Sequence, residues 1–234
     1  MTPEKLTALI TGANRGIGLG LVIGYLEQGY QVIACCRQPQ TAIDLQKLLV
    51  KYPQQLNVEA LDVTHVEHFQ ELSRKYSNTT IDILINNAGI FPETHSRDGI
   101  TAVKHENVSA AFATNALGPL LAIQTFQKNL LQSAQPKIIN ISSQMGSLAA
   151  VKGFGYSYRL SKVALNMLTR AFAEENKQII TIALRPGWVK TDMGGTNANI
   201  SVSESVDKMI KLIAGLTIAD SGGFFDNDKN SCEW

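Results

Sequence analysis

Short apolar runs alternate along this chain with longer segments of helical periodicity, and this alternation constrains the fold more than any other feature. The first pair is a strand at Leu6–Thr11 and a helix from about Gly16 to Gln28. Further strands are predicted at Gln31–Cys36, Leu56–Asp62, Ile81–Asn86, Lys137–Ser142 and Ile179–Arg185. Runs such as Ile138–Ile141 are nearly continuous in Ile, which is typical of strands buried on both faces. The order predicts an α/β fold, a doubly wound parallel sheet with helices on both faces.

Length and charge limit the classes of protein that this chain can represent. A chain of 234 residues, 44% of them apolar, can bury a substantial core, so we expect a single domain spanning residues 1–234. The net charge of +1 supplies no basic field for nucleic acid or anionic membrane, so we expect a small-molecule partner. The N-terminal apolar stretch is too short for a signal segment, and no later run approaches bilayer-spanning length. We therefore expect a cytoplasmic protein with no nucleic-acid or membrane partner.

The cysteines and histidines form no metal-binding pattern. Cys35 and Cys36 are adjacent on a predicted strand, so they point to opposite faces and are poorly placed to bridge each other. Cys232 stands alone, and the expected state of all three is the reduced thiol. His65 and His68 share a helical face by spacing, but no Cys or second His pair completes a metal shell. No metal site is predicted.

A glycine-rich turn follows the first strand and leads directly into a helix. Its sequence is Thr11-Gly12-Ala13-Asn14-Arg15-Gly16-Ile17-Gly18, with the spacing G-x-x-x-G-x-G rather than G-x-G-x-x-G. Glycines let backbone N–H groups approach a pyrophosphate at the positive end of a helix, which indicates a Rossmann-type dinucleotide site. The candidate cofactor-binding residues in the turn are Gly12, Asn14, Arg15, Gly16, Ile17 and Gly18. A tight strand-to-helix connection is the alternative explanation.

The end of the second strand indicates which dinucleotide binds. An acidic residue there favours NAD, because it binds the ribose and repels a 2′-phosphate. This chain has Arg37 at that position, and Arg15 is a second guanidinium that could reach the same phosphate. Two guanidinium groups suit a dianion better than a neutral ribose, so we predict NADP(H). The alternative for Arg37 is a solvated charge at a strand end.

A tyrosine and a lysine stand four residues apart within a predicted helix from about Tyr156 to Asn176. Tyr158 and Lys162 therefore share one helical face. An ammonium about 5 Å from a phenol, at an effective dielectric near 20, favours the phenolate by roughly 3 kcal/mol. The pKa of Tyr158 should then fall toward neutral pH, where the phenol becomes a usable acid or base. Tyr156 is a competing phenol without a lysine four residues later, and such pairs also occur by chance on solvated helices.

Several motifs occur together in an order that resembles the short-chain dehydrogenase/reductase family, and the resemblance covers nearly the whole chain. They are Thr11-Gly12-x-x-x-Gly16-x-Gly18, Asp62 after the third strand, Asn86-Asn87-Ala88-Gly89, Asn115, Ser142-Ser143, Tyr158-x-x-x-Lys162 and Arg185-Pro186-Gly187. The short substrate region and the ending Gly-Gly-Phe-Phe-Asp…Trp are similar to the group that contains sniffer-type carbonyl reductases and the myxobacterial C-factor.

The resemblance implies four catalytic residues. Ser143 would orient the substrate carbonyl, and Tyr158 would donate a proton as hydride arrives from the nicotinamide. Lys162 would bind the nicotinamide ribose and lower the pKa of Tyr158. Asn115 would hold a water that links Lys162 to solvent. The alternative for Asn115 is that it satisfies backbone groups freed where Gly118-Pro119 disturbs the helix.

The resemblance also implies further cofactor contacts. Asp62 and Val63 would contact the adenine. The residues that would line the adenosine side are Asn87, Ala88 and Gly89, with Asn86 before them. The residues that would bracket the nicotinamide carboxamide are Pro186, Gly187, Val189 and Thr191. Ser142 is expected to be structural.

The function implied is NADPH-dependent reduction of a ketone, aldehyde or quinone to an alcohol. The alternative is a dinucleotide-binding signalling or sensor protein of the C-factor type with little turnover. An intact Ser143, Tyr158 and Lys162 favours the enzyme, because a sensor has no need of an acid over the nicotinamide.

Three further expectations concern the surroundings of the site. The apolar residues Met145, Phe154, Trp188 and Met193 are candidates for the pocket of a hydrophobic carbonyl compound, or else for the core. The polar stretch from Gly194 to Ser205 is a candidate mobile loop or lid. A homodimer or homotetramer is expected, paired through the helices that contain Asn115 and Tyr158.

Overall fold

One parallel sheet organises the structure, a computed structural model that describes residues 5–93 and 99–234. Its seven strands in this part of the chain are β1 (Thr7–Thr11), β2 (Gln31–Cys36), β3 (Leu56–Ala60), β4 (Ile83–Asn86), β5 (Lys137–Ile141), β6 (Ile180–Arg185) and β7 (Phe224–Asp226). Their order in the sheet is β3-β2-β1-β4-β5-β6-β7, and all neighbours are parallel.

Seven helices of the described chain cover the sheet. They are α1 (Gly16–Glu27), α2 (Ile43–Lys51), α3 (Val66–Lys75), α4 (His105–Phe112), α5 (Gly118–Leu130), α6 (Tyr156–Glu175) and α7 (Val202–Ala214). A π-helical turn at Ala113–Leu117 joins α4 to α5. Helices α1, α2 and α7 pack in the core on one face of the sheet, and α3, α5 and α6 pack on the other. The predicted doubly wound α/β fold is confirmed.

Side chains of the central strands alternate between the two cores. Ile10 on β1 packs with α1 and α7, whereas its neighbour Leu9 packs on the opposite face. Each such fully buried side chain contributes roughly 1.5–3 kcal/mol of transfer free energy. Cys36 and Cys35 divide in the same way, so the adjacent thiols lie on opposite faces, as predicted.

Two glycines allow α1 to approach α7 closely. A Cβ atom built at Gly24 would lie 2.4 Å from Cδ1 of Ile210, and one built at Gly20 would lie 2.8 Å from Cγ2 of Val206. This close packing joins α1 to α7 within the core on one face of the sheet.

Two details of the sequence-based description are wrong. The strand Phe224–Asp226 was not predicted, since three residues are too few for a periodic signal. The predicted loop at 194–205 ends early, because Ser201 caps α7 by accepting a hydrogen bond from the N–H of Glu204 at 3.1 Å. A backbone bridge between Val189 and Ile200 also ties the remaining loop to the segment after β6.

No helix in the described residues combines the length and apolar character needed to cross a bilayer.

Candidate active site

The candidate site lies beyond the carboxyl ends of the central strands. The strand order reverses between β1 and β4, and open parallel sheets bind ligands at such a crevice. The glycine-rich turn follows β1, the Asn87–Gly89 segment follows β4, Ser143 follows β5 and Pro186 follows β6. The topology therefore brings the residues of the separate motifs to one edge of the sheet.

The glycine-rich turn packs tightly against the segment after β4. Gly12 adopts φ +65°, and a Cβ there would lie 2.8 Å from the Cα of Ala88. The amide of Asn87 donates to the carbonyls of Thr11 at 2.9 Å and Gly12 at 3.1 Å. A Cβ at Gly18 would lie 2.2 Å from the carbonyl oxygen of Gly12. The Asn87 side chain thus supports the turn directly, a role that sequence analysis did not assign to it.

The positive end of α1 faces this turn. Among the described residues, the first turn of α1 has no acidic side chain, and its N-cap Arg15 makes no side-chain capping bond. The Arg15 guanidinium instead forms an exposed ion pair with Asp192, in the loop after β6. In the same loop, Thr191 lies beside the turn, since a Cβ at Gly16 would be 3.3 Å from its Cγ2. The β6 loop therefore closes over the glycine-rich turn.

The expected adenine side contains Arg37, Asp62 and Val63. Arg37 is exposed at the end of β2. The Asp62 carboxylate accepts hydrogen bonds from the N–H and hydroxyl of Thr64, at 3.0 and 2.7 Å. Burial opposes ionisation, but these bonds and the charges of His65 and Arg37 outweigh it and lower the pKa of Asp62. Val63 packs against the start of α5, where a Cβ atom built at Gly118 would lie 2.9 Å from the Cβ of Val63.

His68 has a function in this turn that sequence analysis missed. Its Nδ1 accepts a hydrogen bond from the Asp62 N–H at 3.0 Å, so the ring holds the turn after β3. The rings of His65 and His68 stack with centroids 5.3 Å apart, consistent with their predicted common face. In the described residues, no group of three or more His, Cys, Asp or Glu side chains is arranged to hold a metal.

Tyr158 and Lys162 lie on one face of α6, as their spacing predicts. The Nζ of Lys162 is 5.6 Å from the centroid of the Tyr158 ring and donates to the carbonyl of Ile141 at 2.7 Å. Burial raises the pKa of Tyr158 to about 12, with the hydrogen bond from Ser143 acting in the opposite direction. Burial also lowers the pKa of Lys162 to about 7.

These pKa shifts correct one expectation. The pKa of Tyr158 is raised, not lowered, because desolvation of the phenolate outweighs the hydrogen bond from Ser143. Tyr158 is therefore protonated at neutral pH. A buried phenol that retains its proton can act as a donor, whereas the amine of Lys162 titrates near neutral pH.

The two serines after β5 differ in their partners. The Ser143 Oγ accepts a hydrogen bond from the Met145 N–H at 3.1 Å and lies near the Tyr158 phenol. The Ser142 hydroxyl donates to the side chain of Asn166 at 2.6 Å, and Asn166 in turn donates to the carbonyl of Gly146 at 2.9 Å. Ser142 thus connects β5 to α6.

Asn115 is buried in the π-helical turn and bridges two parts of the site. Its Oδ1 accepts from the N–H of Ile90 at 2.8 Å, and its Nδ2 donates to the carbonyl of Ile90 and to Ser161 Oγ, both at 2.9 Å. These bonds use both N–H groups of the side-chain amide and one of the two acceptor positions of its oxygen. The π-helical turn stands immediately before Gly118-Pro119, where disturbance of the helix was expected.

The loop after β6 is fixed at its start. The carbonyl of Pro186 accepts hydrogen bonds from Ser205 at 2.7 Å and Asn227 at 3.1 Å, and Gly187 adopts φ +86°. Val189 and Thr191 follow, and Val189 forms the bridge to Ile200. The expected nicotinamide contacts therefore lie on a well-supported segment.

An aromatic side chain packs against the tyrosine. The ring of Phe91, which sequence analysis did not single out, lies 5.0 Å from that of Tyr158. A Cβ at Gly155 would meet Met145 at 2.5 Å. Of the predicted pocket residues, Trp188 and Met193 are exposed, and Phe154 lies under the Arg159 guanidinium at 5.1 Å.

A Tyr-Lys pair on a helix, beside a glycine-rich turn at the switch point of a parallel sheet, defines an oxidoreductase of the dinucleotide-binding type. Residues 6–200 match the family described as short chain dehydrogenase, and the chain belongs to that family.

Known relatives agree with this assignment. The C-signal protein of Myxococcus xanthus is 38% identical over 157 residues, which cover 66% of this chain and 93% of that protein. The NADPH-bound carbonyl reductase from chicken fatty liver is 37% identical, with a TM-score of 0.89 over 99% of this chain and 100% of the other. Carbonyl reductase Sniffer of D. melanogaster is 30% identical, with a TM-score of 0.92 over the same shares. The predicted likeness to the sniffer and C-factor group is confirmed.

Proposed function

We propose that the protein is an NADPH-dependent carbonyl reductase that converts a ketone, aldehyde or quinone to an alcohol. The observation that carries the proposal is the buried, protonated Tyr158 phenol beside Ser143 and Lys162, at the edge of the sheet that also bears the glycine-rich turn. An acid held in this way suits addition of hydride and a proton to a carbonyl group.

The residues at this edge fit a dinucleotide. The glycine-rich turn leaves the positive end of α1 without a competing carboxylate in its first turn among the described residues, as a pyrophosphate requires. Gly12, Asn14, Arg15, Gly16, Ile17 and Gly18 would hold the pyrophosphate side, and Ala88 and Gly89 would line the adenosine. Exposed Arg37 would bind the 2′-phosphate, with Asp62 and Val63 against the adenine. The NADPH-bound chicken carbonyl reductase supports this choice of cofactor.

A bound NADPH would supply the hydride for the substrate carbonyl carbon. Ser143 would donate a hydrogen bond to the carbonyl oxygen and hold it near the phenol. Tyr158 would then transfer its Oη proton to that oxygen, which completes the alcohol. Lys162, with a pKa of about 7, can carry a proton at neutral pH and would restore the one that Tyr158 loses. It would also bind the nicotinamide ribose, and Pro186, Gly187, Val189 and Thr191 would position the nicotinamide.

Asn115 would contribute to proton return through the order it gives to its surroundings, because Ile90 and Ser161 engage both side-chain N–H groups and one acceptor position of the oxygen. A relay water could donate a hydrogen bond to the second acceptor position of Oδ1 but could not accept one from the side chain. The alternative structural role therefore has direct support from these contacts.

A signalling function is the second candidate, supported by the likeness to C-signal over 157 residues. The presence of Ser143, Tyr158 and Lys162 together favours catalysis, because binding alone does not require a proton donor.

The test is the initial rate of oxidation of NADPH and, separately, of NADH with an aromatic quinone and a panel of aldehydes and ketones. We expect turnover that prefers NADPH and is lost in Tyr158→Phe. Tyr156→Phe is the matched control, since it removes a phenol two residues away and should retain activity. Tight NADPH binding without turnover on any substrate would favour the signalling function.

We further propose a homodimer or homotetramer. Leu117 on the π-helical turn and Leu160 and Met167 on α6 are exposed apolar side chains that an interface would cover. A monomeric mass by light scattering at micromolar concentration would contradict this proposal.

A further inference from the structure

Helix α6, which carries Tyr158 and Lys162, begins without a capping side chain of its own. Its N-cap is Gly155, in the left-handed conformation at φ +66°, and no side chain at that position can accept a hydrogen bond. The first N–H groups of a helix have no partner within the helix, and Ser, Thr, Asp or Asn at the N-cap normally supplies one.

Glu93 supplies the missing acceptor from a distant part of the chain. Its Oε1 accepts hydrogen bonds from the N–H groups of Ser157 at 2.6 Å and Tyr158 at 3.2 Å. The two partners are separated from Glu93 by 64 and 65 residues. A carboxylate at this end of a 20-residue helix also interacts favourably with the helix dipole.

The segment that carries Glu93 contacts the site at several points. Gly89 lies near Lys162, since a Cβ there would be 3.9 Å from the lysine Nζ. The backbone of Ile90 pairs with Asn115, and the Phe91 ring lies 5.0 Å from that of Tyr158. The segment after β4 therefore runs from the expected cofactor contacts to the first turn of α6.

We propose that Glu93 is a positioning residue that fixes the first turn of α6, and with it the Tyr158 phenol, against the segment after β4. The inference rests on the proposed reductase activity. Glu93 acts through two backbone amides and touches neither hydride nor substrate. Tyr158 is the third residue of α6, so loosening of this turn displaces its side chain. Lys162, one turn further along, keeps its own bond to Ile141.

The test compares Glu93→Gln, which keeps a carbonyl acceptor of the same reach, with Glu93→Ala, which has none. Amide hydrogen exchange at Ser157 and Tyr158, followed by NMR, should accelerate about ten-fold in the alanine variant and less than about three-fold in the glutamine variant. In the alanine variant, kcat for carbonyl reduction should fall about ten-fold, while the Kd for NADPH stays within about two-fold. Glutamine should restore most of kcat.

Other outcomes would overturn the proposal. Unchanged amide exchange in Glu93→Ala would mean that the carboxylate does not hold the helix. Equal losses of kcat in Glu93→Ala and Glu93→Gln would mean that a hydrogen-bond acceptor at position 93 does not position Tyr158. Parallel losses of kcat and NADPH affinity would show a general structural role. If the Glu93→Ala variant does not fold, Glu93→Met replaces it, since Met has a similar length and no carbonyl acceptor. If the wild-type protein reduces no carbonyl compound, the proposed function fails, and the exchange rates alone decide whether Glu93 positions the helix.

Discussion

Arg15 of the glycine-rich turn and Asp192 of the loop after β6 form an ion pair across the mouth of the candidate cofactor cleft. Both side chains are largely exposed, at 65% and 77%, so the pair is weak and can exchange with other partners. The phosphates of a dinucleotide would compete with Asp192 for the same guanidinium. Asp192 therefore opposes the anion that Arg15 is expected to bind.

We expect Asp192→Asn to tighten NADPH binding, because Arg15 loses a competing carboxylate. The Kd measured by fluorescence titration should fall by about two- to five-fold at low salt, and the difference should shrink at high salt. Glu174→Gln is the control, since it removes another exposed ion-pair partner, that of Lys177 after α6. Weaker binding in Asp192→Asn would show instead that the ion pair helps to hold the cofactor.

Arg37 should decide between the two nicotinamide cofactors. Charge-assisted hydrogen bonds to a phosphate are worth about 1.5–3 kcal/mol, so Arg37→Ala should lower kcat/KM for NADPH by roughly 10- to 100-fold. The value for NADH, which has no 2′-phosphate, should change little. Equal losses with both cofactors would mean that exposed Arg37 is a solvated charge with no part in recognition.

The pattern of the sequence predicts the sheet well because strand burial and strand order have local signals. Ile138–Ile141 is buried throughout, as its composition indicates, and the motif residues follow the strands that place them at one edge. The capping pair Ser201 and Glu204 was also a local signal for the start of α7, but the polar composition around it favoured a loop.

Other features depend on contacts that no local pattern records. The bond from Glu93 to the first turn of α6 joins residues 64 positions apart, and β7 exists because β6 offers it a partner. The spacing of Tyr158 and Lys162 predicts their proximity but carries no information on burial. Desolvation, which sets the direction of both pKa shifts, is visible only when the packed site is known.

The buried amine of Lys162 should make stability depend on pH. Its pKa is about 7 in the folded protein against 10.5 ordinarily, so between these values the unfolded chain binds a proton that the folded protein does not. The free energy of unfolding contributed by this group therefore rises with pH, by at most about 1.4 kcal/mol per pH unit. Chemical denaturation from pH 7 to 10 should show this rise in the wild type relative to Lys162→Met. Parallel curves would mean that Lys162 keeps an ordinary pKa.

Asn115 should contribute measurably to stability as well as to activity. Asn115→Ala leaves the N–H and carbonyl of the half-buried Ile90 without their side-chain partner, and an unsatisfied buried group costs about 1–3 kcal/mol. We expect a loss of about 2–4 kcal/mol in the free energy of unfolding by urea denaturation. Lower activity with unchanged stability would favour a role confined to proton return.

Gly18 should be the least replaceable glycine of the turn, although its backbone is not left-handed. A Cβ at this position would lie 2.2 Å from the carbonyl oxygen of Gly12 and 2.6 Å from the Asn87 amide that supports the turn. Neither atom can withdraw without breaking the contact between β1 and the segment after β4. Gly18→Ala should therefore lower the free energy of unfolding by about 1–3 kcal/mol and weaken NADPH binding at least about ten-fold. Gly153→Ala is the matched control, because a Cβ there meets nothing within 4 Å, and urea denaturation with NADPH titration of both variants checks the prediction. Equal behaviour of the two variants would mean that the turn adapts to a side chain.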